Sequence, residues 1–572
     1  NDSMKLLEIL AANKSFKKSV KERPLKIGVL GNISVHSLKP ILEYELSLKN
    51  SFSEVTILGF NNFIEESTKK EFDIYLFFWE TINLSENFKS EYYHFSESEK
   101  KALFEKTITE LEISLKQLQS NSLVIFNSFS EFTTSTGPLG LDSTNQLSKR
   151  LNEHLHCIKQ ENLLILNLDF LIQNCGIEKT FDYRTYYQSS TLYTNFFLSE
   201  YSKTIVPLIE NRKGKQKKMI VLDADNTLWK GIIGEDGIEE IKCTPVTSEG
   251  MIYNEVQSLL KDLKNKGVLL AICSKNNPGD IENVFNKNIM FLKKNDFVIK
   301  KINWSPKNHN IQEIANEINI GLDSIVFIDD SDFEIQLIKS TLPQVKTVQV
   351  PKTLSNYPNT IKKLYPLFFS GINSNEDKHK TRMYLDENER KKISLKYKNI
   401  DDYINSLGLE LLLLKNPQIP IERCTQLTQK TNQFNLTTKR YSRAELEQLI
   451  LKENWHLISL SIKDKFGDYG TTGLIILTID NDKATIDTFL LSCRVLGRKI
   501  ENIFFKLIID ELKLMNVKQL IGVYVPTKKN IQVKSFYENM GMKINTFKKN
   551  ITTYLINTND FKTKENLNFK IK

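Results

Sequence analysis

No run of apolar residues in this chain of 572 residues is long enough to span a membrane. Its start does not read as a signal peptide: Asn1 to Ser3, ahead of Met4, look like an added remnant, and a polar helix pattern follows. Cysteine is scarce. Cys157, Cys175, Cys243, Cys273, Cys424 and Cys493 lie far apart, which excludes a disulfide framework and shows no metal-ligand spacing. Excess charge is small as well. The net +9 is carried by lysines scattered among Asn, Ile and Glu, which makes no nucleic-acid stripe but favours an acidic or phosphorylated partner. Repeats and low-complexity segments are absent. What remains is a globular protein of a reducing, cytoplasmic setting, with neither nucleic acid nor membrane as partner.

With 40% hydrophobic and 26% charged residues the chain is too apolar for disorder, and its length calls for two to four domains. Three are expected, at residues 1–215, 216–372 and 373–572. The first alternates short strands (Lys26 to Leu30, Val55 to Leu58, Ile74 to Phe78, Leu123 to Phe126, Leu163 to Leu168) with helices, the pattern of a parallel, doubly wound sheet. The second repeats this with strands Met219 to Leu222, Val268 to Cys273, Ser324 to Ile328 and Val345 to Val350. A charged stretch, Asn373 to Lys398, reads as a linking helix. The third has a meander (Trp455 to Ile462, Thr472 to Ile479, Ala484 to Leu491), a helix Lys499 to Met515, a strand Gln519 to Val525 and a helix Ile531 to Met540, hence an α+β mixed sheet. The fold class is therefore α/β multidomain.

The chemistry is most legible in the second domain. Its first strand ends in Asp223-Ala-Asp225-Asn-Thr227, placing two carboxylates at the C-terminal edge of an open α/β sheet, where ligands bind. Asp223 is positioned to attack phosphorus, and Asp225 to protonate the leaving oxygen and then activate water. A carboxylate attacking a phosphate needs a hard cation and a fixed ammonium beside it. Asp329 and Asp330, ending another strand, join Asp223 and Asp225 as Mg²⁺ ligands, and Lys307 neutralises the phosphoryl group. Ser274, Lys275, Asn276 and Thr227 complete the phosphate-binding set. Asp223 and Asp225 would alone also fit a turn and a helix cap. The order Asp-x-Asp, Ser, Lys, Asp-Asp resembles the haloacid dehalogenase superfamily of phosphatases, which implies a Rossmann-like domain using Mg²⁺.

A closer resemblance covers nearly the whole chain. Trp229-Lys-Gly-Ile-Ile-Gly-Glu-Asp-Gly237, the run from Thr425 to Arg440, Asp464-Lys-Phe-Gly-Asp468 and Ser492-Cys-Arg-Val-Leu-Gly-Arg498 are similar to the FkbH-like proteins of polyketide and tetronate pathways. That resemblance implies a glyceryl transferase and phosphatase that takes the acyl group of 1,3-bisphosphoglycerate, removes phosphate, and leaves glyceryl on the phosphopantetheine arm of an acyl carrier protein. The third domain resembles the GNAT acyltransferases, whose fourth and fifth strands (here Ala484 to Cys493 and Gln519 to Val525) part to admit pantetheine. The family's phosphate loop is altered, because Arg494-Val-Leu-Gly497-Arg498-Lys499 ends in a long cation. Arg494, Gly497 and Arg498 are still expected at the pantetheine.

Cys493 stands at a strand end before Arg494, Arg498, Lys499 and a helix start, a setting that lowers a thiol pKa and suits an acyl acceptor; the other reading is a small core residue. Cys273 is the rival thiol, but its alternation with Ser274 points it into the core. Arg423, Lys430, Asn432, Gln433 and Asn435 read either as donors to substrate oxygens or as a solvated helix face. The first domain resembles the SGNH hydrolases, yet Gly31-Asn32 stands where their serine belongs and Asp182-Tyr-Arg-Thr185 lacks the histidine, so a docking or structural module is expected. Two rival readings are a plain small-molecule phosphatase with binding-only flanks and an acetyl-coenzyme A-dependent acetyltransferase.

Overall fold

A computed structural model describes residues 6–19, 23–69, 72–118, 122–133, 143–158, 160, 162–369, 390, 397, 399–492, 495–496, 498–527, 530–548, 551–562 and 569–571. The linking helix expected over Asn373 to Lys398 lies outside these, apart from Arg390 and Tyr397. Contacts divide the chain into two compact units, one ending at Arg212 and one beginning at Lys213.

The first unit is a five-stranded parallel sheet of β1 (Leu25–Gly31), β2 (Ser53–Phe60), β3 (Ile74–Phe78), β4 (Leu123–Asn127) and β5 (Leu163–Leu166), in the order β2-β1-β3-β4-β5. Period-two alternation gives the sheet two cores. Ile27, Val29, Leu76 and Ile125 face one helical layer, while Leu30, Tyr75, Phe77 and Phe126 face the other. Strand order reverses between β1 and β3, where an open α/β sheet forms a ligand crevice beyond its carboxyl ends.

The second unit holds two sheets. One is parallel, with order β10-β9-β6-β7-β8, from β6 (Met219–Leu222), β7 (Leu269–Ser274), β8 (Phe297–Ile302), β9 (Ile325–Asp329) and β10 (Lys346–Gln349). Strand β8 was not expected; its second half carries Lys300 and Lys301 at an edge, which hides the apolar alternation. Ile220, Leu222, Ile272 and Ile328 point to one core, and Met219, Val221, Cys273 and Phe327 to the other. Hence β6, β7 and β9 lie side by side with their carboxyl ends together.

The other sheet runs β17-β18-β16-β15-β14-β13-β11-β19, with β11 (Leu409–Lys415), β12 (Phe434–Asn435), β13 (Trp455–Asp464), β14 (Gly467–Asp480), β15 (Lys483–Leu491), β16 (Gln519–Tyr524), β17 (Lys543–Lys548), β18 (Ile551–Asn557) and β19 (Phe569–Ile571). The meander is β13 to β15. The helix expected at Ile531 to Met540 is instead a 3₁₀ turn, Ile531–Val533, and a short helix, Phe536–Asn539. The hairpin β17–β18, rich in Lys and Thr, shows no hydrophobic alternation in sequence and was missed. Among the described residues no helix is long and apolar enough to cross a membrane.

Candidate active site

Three adjacent strand ends build the phosphoryl site. Asp223 follows β6, and its backbone N–H still donates to Ile328 O of β9 (3.0 Å), which fixes where the side chain leaves the sheet. Ser274, ending β7, donates its hydroxyl to Asp223 Oδ1 (2.7 Å). Lys307 opens the helix Lys307–Ile318 and reaches back, Nζ standing 2.9 Å from Asp223 Oδ1 and 2.7 Å from Asp329 Oδ2. Asp329 Oδ1 accepts from Ser331 N (2.9 Å), the residue that caps the next helix, Asp332–Thr341. Asp223 Oδ2 has no hydrogen-bond donor among the described residues, which leaves its lone pairs available.

Oxygens of Asp223, Asp329 and Asp330 lie within 4.8 Å of one another. This is an all-oxygen, all-carboxylate set, the donor chemistry of a hard divalent cation, and it fits Mg²⁺. Burial, and then the charge of Asp223, push Asp329 and Asp330 above the usual carboxylate range. Burial alone would depress the Lys307 ammonium, but the flanking Asp223 and Asp329 carboxylates hold it above its ordinary value. Lys307 is therefore a fixed positive charge.

Asp225 departs from expectation as a metal ligand. Its Oδ1 accepts from Trp229 Nε1 (3.0 Å) and Ile233 N (3.1 Å) and its Oδ2 from Asn276 Nδ2 (3.0 Å), so its carboxylate is outside the cluster. Burial raises it, which suits a proton carrier. Lys275 is turned from the phosphate position too: Nζ pairs with Glu334 Oε1 at 2.6 Å. Thr227 is fully buried, its hydroxyl without a partner among the described residues, and its carbonyl accepts from Tyr357. Asn276 touches both Asp225 and Ser274 (3.1 Å to Oγ), so it ties the two carboxylates' environments together. Trp229 and Glu334 were not singled out as site residues. Trp229 lies in the quoted Trp229-Lys-Gly motif, whereas Glu334 had no signal beyond its place in a helix first turn.

The remaining expected site residues lie around the other sheet of the second unit. Strands β15 and β16 pair in parallel only over Lys483 to Thr485 and Gln519 to Ile521, and then part. The gap expected to take pantetheine is bridged by the chain itself. Phe434 and Asn435 pair with Leu491 and Leu490, Leu436 N donates to Phe489 O, and Val525 N donates to Leu436 O (2.8 Å). Parting strands leave peptide groups that must be satisfied, and this segment satisfies them. Asn435 serves the bridge, donating to Thr431 O and accepting from Thr438 N, while Asn530 donates to Asn435 O. Arg423 donates to Thr471 O and Gln426, and Asn432 accepts from Arg440. Gln433 Oε1 is buried without a donor among the described residues. Beside the bridge is a cavity of about 630 Å³ whose walls include Phe434, Phe536, Phe561, Asn502, Gln532 and Ser535, none of the last three foreseen in sequence.

Cys493, Arg494 and Gly497 lie outside the described residues, as does the side chain of Lys430. Two cations expected around Cys493 have other partners: Arg498 is buried and donates to Tyr469 Oη (2.6 Å), and Lys499 pairs with Asp401 (2.7 Å). Arg498 thus packs in a cluster with Tyr469, Asp464 and Arg390. Cys273 is buried at 0% exposure and burial pushes its thiol up to about 12, so it is not a thiolate. In the first unit Asn32 is also fully buried, its amide exchanging hydrogen bonds with the Glu80 backbone.

No protein-family model matches the chain, and no curated protein does. Solved structures do. The N-terminal part of BF1531 from Bacteroides fragilis, containing a phosphatase domain complexed with Mg, matches with a TM-score of 0.57 at 26% identity, over 64% of this chain and 100% of that one. The chain shares the fold of a phosphatase. The ribosomal-protein-S18-alanine N-acetyltransferase of Escherichia coli covers 28% of this chain and 99% of its own, at 15% identity and a TM-score of 0.22. A putative GNAT acetyltransferase of Desulfovibrio desulfuricans covers 26% and 99%, at 10% and 0.22.

Proposed function

We propose that the chain is a glyceryl transferase and phosphatase that takes the glyceryl unit of 1,3-bisphosphoglycerate, removes phosphate, and loads glyceryl as a thioester on the phosphopantetheine of an acyl carrier protein. The observation that carries the phosphatase half is Asp223 gripped at one oxygen by Ser274 and Lys307, with Asp329 and Asp330 beside it and Asp225 outside the cluster. Asp223 Oδ2 attacks phosphorus as the bond to the leaving oxygen breaks, and Asp225 gives that oxygen its proton. Asp225 then takes a proton from water as the water oxygen displaces Asp223, releasing inorganic phosphate. Lys307 holds the position of the transferring oxygens and offsets their charge. Mg²⁺ held by Asp223, Asp329 and Asp330 supplies the positive charge that lets a carboxylate approach a phosphate.

A plain phosphatase would need only the sheet β6 to β10. The cavity beside the parting strands has apolar and amide walls (Phe434, Phe536, Asn502, Gln532) as well as the charged Glu501, Glu538, Asp560 and Lys562, and its apolar and amide part suits a second ligand with amides on an aliphatic stem, as in a pantetheine arm. Because the self-bridge Phe434 to Leu436 closes the gap, that cavity is the proposed seat of the arm. In the acyl step a thiol sulfur attacks the acyl carbon, the carbon–oxygen bond to phosphate breaks, and phosphate leaves; Cys493 is the proposed first acceptor. The test is phosphate release from a small phosphoester that has no acyl phosphate, because acyl transfer itself frees phosphate. Asp223→Asn and EDTA should each abolish it while the protein stays folded, and release by folded, metal-free Asp223→Asn would overturn the assignment.

A further inference from the structure

The first unit has a cavity of its own near the carboxyl ends of its strands. At the crevice where strand order reverses, β1 ends at Gly31 and β3 at Phe78, and the next residues are locked together. Asn32 Nδ2 donates to Glu80 O (2.8 Å), Glu80 N donates to Asn32 Oδ1 (2.7 Å), and Asn83 Nδ2 donates to Asn32 O (2.6 Å). Tyr186 Oη then donates to Asn83 Oδ1 (2.6 Å), which ties the short helix Tyr183–Ser189 to this floor. Close by is a cavity of about 320 Å³ walled by Phe88, Lys89, Tyr93, Tyr183 and Tyr187.

Its walls are chemically unusual. The Lys89 ammonium stands 4.4 Å from the Tyr183 ring centre, 5.3 Å from Tyr186 and 5.5 Å from Tyr187. Among the described residues no carboxylate pairs with Lys89. Ring faces attract a cation but do not neutralise it, so among the described residues this positive charge is held in place without a counter-ion. Tyr187 is 73% exposed and Tyr93 44%, an exposure of large aromatic surface that a folded chain does not need for stability.

We propose that this cavity binds a small organic monocarboxylate with a flat or apolar body, its carboxylate on Lys89 and its body against Tyr183, Tyr187 and Tyr93. One ammonium matches one negative charge, so a monocarboxylate fits better than a phosphate dianion. The volume is at the lower end for small-molecule sites. The site uses no group of the Asp223 centre and is independent of the function proposed above.

The experiment is calorimetric titration of the full chain with 4-phenylbutyrate, and with 4-phenylbutanol as its uncharged counterpart. The carboxylate should bind at least tenfold more tightly than the alcohol. Lys89→Met keeps the stem over the rings and should lose about tenfold or more in affinity, Lys89→Arg should keep most of it, and Asp223→Asn should bind like the parent. No binding of the carboxylate, equal binding of acid and alcohol, or undiminished binding by folded Lys89→Met would each overturn the proposal.

Discussion

Replacing Lys307 by methionine removes the ammonium that separates Asp223 from Asp329 and leaves three carboxylates facing one another. At an effective dielectric of about 20, each of the two contacts carries a gross attraction of about 6 kcal/mol. Most of that is offset by the cost of burying the charges, and breaking such a pair costs a net of about 3–5 kcal/mol. The loss should depend on conditions in two ways. Asp329 is already raised by burial and by the charge of Asp223, so acid should protonate it, relieve the repulsion and shrink the loss; it should be largest above neutral pH. Mg²⁺ should restore much of the stability, since it supplies charge where Lys307 did, and should bind the variant about tenfold more tightly than the parent because a competing cation is gone. Phosphate release should nevertheless stay abolished. Hydrogen exchange of peptides covering Met219–Leu222 and Ile325–Asp329, with Mg²⁺ and with EDTA, reads this domain apart from its neighbours. Equal protection losses in Mg²⁺ and EDTA, unchanged across pH, would refute the reasoning.

Asp225→Asn should slow phosphate release by roughly 10²–10⁴-fold while the protein stays folded, since the remaining oxygen still accepts from Trp229 and Ile233 and only the bond from Asn276 is lost; near-parental turnover would remove it as proton carrier. Burial first, then the charge of Asp169, raises Glu80 from 4.5 to about 7 against the opposing Tyr193 hydrogen bond. The stabilisation from holding Glu80 protonated is full below pH 4.5 and is lost as pH rises through about 7, so Glu80→Gln should flatten the first unit's stability over that window, with a gain approaching about 3 kcal/mol at neutral pH. A variant as pH-dependent as the parent in urea unfolding would contradict this. Arg390→Met should cost about 3–5 kcal/mol, because the bidentate pair with Asp464 is buried and the carboxylate would lose its cation; hydrogen exchange of the Trp455–Asp464 strand reports it, and unchanged protection would refute it.

The phosphoryl site was legible because its residues stand at strand ends, where strong apolar runs fix position and direction: Met219–Leu222 puts Asp223 at the sheet edge, and Ile325–Asp329 does the same one strand over. What sequence could not say was which way each carboxylate turns. Asp225 looked like a further metal ligand, but Trp229 and Asn276, the latter across a neighbouring strand, draw it aside. Lys275 faces Glu334 for a similar reason, since that partner is 59 positions away and only the fold brings it near. The bridge at Phe434 to Leu436 was illegible because two-residue pairings leave no periodicity, and the Lys89 cavity because its aromatic wall comes from segments nearly a hundred positions apart.

Whether this one chain joins a phosphatase to carrier loading is tested most directly by the intact mass of a phosphopantetheinylated carrier protein. After incubation with 1,3-bisphosphoglycerate, Mg²⁺ and the full chain, the carrier should gain one glyceryl unit. With Asp223→Asn any adduct should keep its phosphate, and with Cys493→Ala no adduct should form while a small phosphoester is still hydrolysed. A carrier whose mass is unchanged by the parent protein, although phosphate is released, would contradict the account and leave a phosphatase alone.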